Sequence, residues 1–260
     1  LYNKSMKLGP SEGLFSTHKF EGTPSVNNPH PQKGFLYNGA KNPDLDRFFL
    51  SPSHYALTLY AALIETKRLN DKSLKEFNKD GSVLDMIGSE HSPGHETNGG
   101  SFGQTISQAA GVAWARRRKK EKGLVWLFLS DGEFQEGQTW EALMSMAFHK
   151  ISNLKIVVDV NGQQVDGKTC DVMNLEPLLE KISSFGACVK QVDGHDLVAL
   201  NNAFRTIHHD KPLVVLAKTS PFRGMEILEK RYPFLHYVRF KDENENCLLY
   251  TSPSPRDLRL

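Results

Sequence analysis

The chain has 260 residues, 39% of them hydrophobic, with three cysteines and a formal net charge of +2. That length buries a substantial core in one α/β domain or two small ones, and so small a charge supplies no field that demands nucleic acid or an anionic membrane. Apolar runs reach only about six residues against the roughly 20 that span a bilayer, no charged-then-apolar leader opens the chain, and cysteines without metal spacing predict free thiols in a reducing compartment, by default the cytoplasm.

Residues 1–45 are rich in Gly, Pro, Asn and Ser, densest in GTPSVNNPHPQKG, and predict an irregular arm. The first residue is Leu1, as in a fragment. Helical spacing of apolar residues predicts a helix over 53–70 and another over 104–120, the latter with Ile106, Ala110, Ala113 and Trp114 on its apolar face. The run RRRKKEK at 116–122 closes that helix as a solvated end, where cations complement the helix dipole. Strand 124–129, helix 138–150 and strand 155–160 follow. Asn174 is the expected cap of a helix starting near 175, because Pro177 is tolerated only in a first turn. Strand 187–192, the turn VDGHD, helix 196–208 capped by Asp196, and strand 213–218 complete the pattern; His208 and His209 fall at a helix end as surface residues. The alternation predicts a three-layer α/β/α domain over 46–240 with a mainly parallel sheet. Residues 241–260, ending in TSPSPRDLRL, predict a disordered tail.

Asp131 leaves one apolar strand in LVWLFLSDGEFQEG, and Asn161 leaves the next in KIVVDVNGQQVDG. A right-handed crossover brings both strand ends to one sheet edge, where open α/β sheets bind their ligands. A carboxylate and an amide oxygen there suit Mg²⁺ completed by the phosphates of a cofactor. Gly99, Gly100, Ser101 and Phe102 form a glycine-rich loop ahead of a helix, which permits close backbone approach and offers N–H groups to an anion. GQQVDGKT at 162–169 satisfies the P-loop pattern, but the next helix is expected near 175 rather than at its GKT, which argues against that reading. Pro93 and Gly94 between His91 and His95 likewise exclude a helical zinc face.

The stretch SDGEFQEGQTWEALMSMAFHKISNLKIVVDVNGQQVDGKT resembles the thiamine-diphosphate motif of transketolases. DRFFLS with His54, PGH at 93–95, GGSFGQ, VDGHD and KPLVVLAKT carry the resemblance across roughly 42–225. It implies a thiamine-diphosphate-binding fold in which Asp131, Asn161 and the backbone carbonyl of Gln163 hold Mg²⁺. It further implies that His54, Gly100, Ser101, Phe102, Gly132 and Glu136 bind the cofactor, and that His54, His95 and His236 are the catalytic histidines lining the channel to the sugar substrates. The implied activity is transfer of a two-carbon ketol unit from a ketose, as its phosphate, to an aldose.

Ser53, Thr105 and Ser130 stand where the family carries glycines, and the family's amino-terminal SGHPG-like loop has no counterpart, since neither His18 nor His30 matches it. The glutamate that serves the cofactor's aminopyrimidine lies in a second family domain that residues 241–260 are too few to encode. The implied arrangement is a heteromer, a heterotetramer or dimer of heterodimers, in which a pyrimidine-binding subunit supplies that half; a truncated single-chain enzyme has the same sequence signature. The alternatives are a non-catalytic interaction module of the same fold and the α subunit of a 2-oxo acid dehydrogenase.

Overall fold

Runs of branched and aromatic residues, LVVLAK and VWLFLS among them, form the strands of a five-stranded sheet, because such side chains fill a pleated surface buried on both faces. The computed structural model describes residues 5–11, 16–22, 25–28, 33–236, 238, 242–244 and 247. His30 and the terminal residues from 248 lie outside them.

The strands are β1 (Arg47–Leu50), β2 (Val125–Ser130), β3 (Leu154–Val160), β6 (Cys188–Asp193) and β7 (Leu213–Lys218), in the order β1-β2-β3-β7-β6 and parallel throughout. A two-stranded hairpin, β4 (Gln163–Gln164) with β5 (Gly167–Lys168), follows β3. The helices are α1 (Ala56–Glu65), α2 (Gln104–Arg118), α3 (Gly137–Phe148), α4 (Thr169–Val172), α5 (Leu178–Ser184) and α6 (Leu197–Phe204).

Two cores sandwich the sheet. On one face Leu127, Leu129, Ile156, Val158 and Leu216 pack against Ile106 of α2, Leu143 and Met146 of α3 and Ile182 of α5. On the other, Phe48, Trp126, Val157 and Val215 pack against Leu59, Tyr60 and Leu63 of α1 and Phe204 of α6. Alternate residues of one strand thus serve opposite layers, which is the α/β/α architecture, each buried side chain contributing about 1.5–3 kcal/mol. The arm joins the second core through Met6 and Tyr37, the latter donating to the Ser16 carbonyl at 2.9 Å.

Several local expectations need correction. β1 forms where the sequence predicts no strand. Arg116 is buried rather than solvated: Nη2 donates to the carbonyls of Asn42, Pro43 and Leu45 at 2.7–3.2 Å, and Nε faces Glu121 at 3.0 Å. Trp114 of α2, expected on the apolar face, is 43% exposed. A single helical turn, α4, opens at Thr169 where none is expected before 175, and α5 begins at Leu178, with Pro177 as its N-cap, because Asn174 closes a tight turn by accepting from the Glu176 N–H at 3.0 Å. α6 ends at Phe204, so His208 and His209 lie beyond it; His208 contacts the Lys211 carbonyl, and His209 takes a positive φ of 46°. Among the described residues no helix is long and apolar enough to cross a membrane.

Candidate functional site

The carboxyl ends of β1, β2, β3 and β7 meet at one edge, and the chain leaving each supplies polar groups. Where β2 ends, Asp131 turns back under the following 3₁₀ segment and is buried; its carboxylate accepts from Gly132 N–H at 2.9 Å, Gly162 N–H at 3.2 Å and the Thr169 hydroxyl at 3.3 Å. These partners are neutral, so burial, with the Asp159 charge adding to it, pushes the carboxyl up to about 6. Two residues on, Glu133 is wholly buried and accepts from the Ser51 hydroxyl at 2.6 Å and from the Gly103 and Ser130 N–H groups at 3.4 Å. One carboxylate thereby ties together the end of β1, the end of β2 and the glycine loop. Burial pushes it up to about 7.

Asn161 follows β3. Its Nδ2 donates to Tyr55 Oη and to Asp159 Oδ2, both at 3.0 Å, and its Oδ1 accepts from the Gln163 N–H at 2.9 Å. The Gln163 amide donates to the Pro233 carbonyl at 2.8 Å and accepts from the His236 N–H at 3.2 Å. The His236 ring stands 5.5 Å from that of His54, which lies 5.9 Å from Phe102. Burial and the neighbouring His236 lower the His54 pKa, which keeps its ring neutral at pH 7.

The glycine loop closes this cluster. Gly100 N–H donates to the Ser51 carbonyl at 2.8 Å, and Gly100 has a φ of +87°, which a side chain would strain. A Cβ at Gly132 would come 3.0 Å from Gln164 Nε2 and 3.9 Å from the Phe102 ring, so the backbone after Asp131 passes between hairpin and loop. His54, Phe102, Asp131, Gly132, Asn161, Gln163 and His236 are therefore joined in one cluster, with Gly100 and Ser101 on its rim. His95 stands apart from these contacts. It is fully buried, its ring is what a Cβ at Gly88 would strike, its Nδ1 reaches the Pro93 carbonyl at 3.3 Å, and burial lowers its pKa to about 4. Glu136 is exposed as the N-cap of α3. Ser53, Thr105 and Ser130 are all buried, and the hydroxyls of the first two lack a hydrogen-bond partner among the described residues.

Glu133, Asp159 and Tyr55 join the site without having been marked by any sequence motif. Glu133 carried one signal, its place two residues after Asp131 in the same turn. The donor set, one carboxylate, one amide and backbone carbonyls at a sheet edge, is all hard oxygen, and among the described residues no three His, Cys, Asp or Glu side chains gather into a metal cage. It fits a divalent cation that takes its remaining ligands from phosphate and water. A buried carboxylate with only neutral partners is also a site where a cation would relieve the cost of desolvation.

A family model described as transketolase, thiamine diphosphate binding domain, matches residues 34–225. The chain is 43% identical to an uncharacterized transketolase family protein, y4mO, of Sinorhizobium fredii over 190 residues, which are 72% of this chain and 68% of that one. It is 32% identical to one subunit of the apulose-4-phosphate transketolase of Actinobacillus succinogenes over 209 residues, 80% of this chain and 76% of that relative. The solved transketolase of Campylobacter jejuni matches with a TM-score of 0.64 and 26% identity over 72% of this chain and 32% of its own. The chain spans about 30% of the length of the solved transketolases it matches.

Proposed function

Since the chain belongs to the transketolase family as its thiamine diphosphate binding domain, we propose that it is the diphosphate-binding half of a two-chain transketolase. Asp131, Asn161 and the Gln163 carbonyl hold Mg²⁺, and a second polypeptide brings the pyrimidine-binding half. Thiamine diphosphate, when bound, supplies the stabilised carbanion needed to carry a two-carbon ketol unit from a ketose, as its phosphate, to an aldose. This chain's residues bind and orient. The joining of Asp131 and Asn161 with the glycine loop and the His54–His236 pair at one sheet edge carries the reading.

Within it, Gly100, Ser101, Phe102 and Gly132 line the approach of the diphosphate, and Glu136, exposed at the head of α3, faces the cofactor or the partner. His54 and His236 face the substrate channel. His95 is assigned to the donor sugar on the family resemblance alone, since its ring is fully buried and stands apart from this cluster. Met86, Ile87, Val165 and Met173 stand about half exposed on the segments flanking this edge, which supports a partner chain there. So does the similarity to proteins named as transketolase subunits.

Titration calorimetry tests the reading. Thiamine diphosphate should bind the purified chain with Mg²⁺ and not with a chelator, Asp131→Ala and Asn161→Ala should abolish that binding, and ketol transfer should appear only once a pyrimidine-domain chain is added. Equal binding with and without chelator would sink the metal assignment, and transfer by the chain alone would sink the two-chain one.

A further inference from the structure

An asparagine side chain ends in two groups of similar size and opposite hydrogen-bonding sense, and only the oxygen serves a hard cation. At Asn161 both amide hydrogens are occupied, one by Asp159 Oδ2 and one by Tyr55 Oη, each at 3.0 Å. Tyr55 in turn donates to the same Asp159 Oδ2 at 3.0 Å, and the Thr219 hydroxyl donates to Asp159 Oδ1. Asp159 thus accepts from three donors drawn from the ends of β3 and β7 and the segment after β1. Among the described residues, Asn161 Oδ1 is left with the Gln163 N–H alone.

We infer that Asp159, held by Tyr55 and Thr219, is a positioning residue that fixes which end of the Asn161 amide faces the cation, and that this is why an amide rather than a carboxylate stands at 161. The inference rests on reading Asn161 as a cation ligand. An aspartate at 161 would place an oxygen where Nδ2 now stands, 3.0 Å from Asp159 Oδ2, with no hydrogen between two acceptors. An asparagine at 159 has one oxygen for three donors. Turned toward Thr219, it sets its NH₂ against Nδ2 and releases the Asn161 amide to rotate. Turned toward Asn161 and Tyr55, it makes Thr219 reverse its hydroxyl and holds the amide with a neutral oxygen, weaker than the carboxylate. Exchanging the two, Asp159→Asn with Asn161→Asp, restores a donor against an acceptor. Residue 159 then donates to the new carboxylate, Tyr55 reverses its hydroxyl, and Thr219 still finds an oxygen.

The test uses the purified full chain at fixed thiamine diphosphate, titrated with Mn²⁺, with free Mn²⁺ read by electron paramagnetic resonance and the metal-free fold checked by circular dichroism. Asp159→Asn should weaken Mn²⁺ uptake about 10- to 100-fold, as loss of a group that orients a metal ligand does. Tyr55→Phe, which removes one neutral hydrogen bond, should weaken it about fivefold. Asn161→Asp alone should weaken it at least as much as Asp159→Asn, and the exchanged pair should recover at least tenfold over Asn161→Asp. Uptake by Asp159→Asn as tight as wild type, or an exchanged pair no tighter than Asn161→Asp, overturns the inference. Where those variants do not fold, wild-type affinity in Tyr55→Phe overturns it. Asn161→Ala separates the two levels: if it takes up Mn²⁺ like wild type, the ligand reading itself falls, and this inference with it.

Discussion

Asp131 and Glu133 are two carboxylates taken out of water within one turn, and their titration gives the metal-free chain a distinctive pH dependence. Burial foremost raises them to about 6 and about 7, with Asp159 adding at Asp131 and Glu136 at Glu133. In the unfolded chain both titrate near their ordinary values of about 4. The folded state therefore holds more protons than the unfolded one from about pH 4 to 7. The contribution of these two carboxyls to stability falls as pH rises through that window and levels off above it; the opposite contribution of His95, held near 4 by burial, offsets part of the fall below about pH 6.5 and leaves the two carboxyls dominant above it. Calorimetric unfolding in chelator should accordingly give a lower midpoint at pH 8 than at pH 5. Glu133→Gln should remove the upper part of the slope, an effect of about 3 kcal/mol; an unchanged slope in that variant would contradict the assignment. Asp131 and Asn161 were legible in the sequence because each stands where an apolar strand gives way to a turn. Glu133 and Asp159 were not, because what makes them matter is Ser51, 82 residues from Glu133, and Tyr55 and Thr219, 104 and 60 residues from Asp159. No local pattern records such pairings.

Among the elements, the glycine loop is where packing and backbone conformation part company. A Cβ at Gly99 would lie 2.4 Å from Ser53 Oγ and 2.5 Å from the Ser51 carbonyl, so an alanine there must displace the end of β1. At Gly100 the nearest atom would be 3.6 Å away and only the φ of +87° resists. Gly99→Ala, with two contacts at 2.4 and 2.5 Å, should cost about 3 kcal/mol through overpacking, and Gly100→Ala about 1 kcal/mol through the left-handed backbone. Gly99→Ala should also weaken cofactor binding, because Ser51 anchors the loop; urea denaturation ranks the two, and the opposite order would refute the packing account. Strands β2, β3 and β7 were readable as apolar runs between turn signals. The four residues of β1 were not, since RFFL is too short to carry a period and is recognised as a strand only by its register against Val125–Phe128. Helix ends were misjudged where the chain turns on residues with no breaker signature, such as Lys67 and Lys150 with φ of 56° and 52°.

For the molecule as a whole, the layered α/β/α class followed from the alternation of elements alone, and the family from several motifs in one order. The arm was read as irregular, and its anchoring of Tyr37 and Met6 in the second core was invisible, since isolated apolar residues in a breaker-rich stretch have no periodicity to mark them. The strand order has a consequence in time. Val125 pairs with Leu154 and Cys188 with Leu213 across short separations, whereas Arg47 pairs with Val125 across 125 − 47 = 78 residues. Closing the longer loop costs more entropy and slows the pairing that depends on it. Pulse-labelled hydrogen exchange during refolding should find the amides of β2 and β3 protected before those of β1; simultaneous protection would contradict this order. Because Ser51, Ser53, His54 and Tyr55 enter on the heels of β1, the newly made chain passes through an interval in which most of its sheet exists but the ring of groups around Asn161 does not. During that interval thiamine diphosphate has nothing complete to recognise, so the vitamin cofactor should leave the early refolding rate unchanged and act only by trapping the finished sheet.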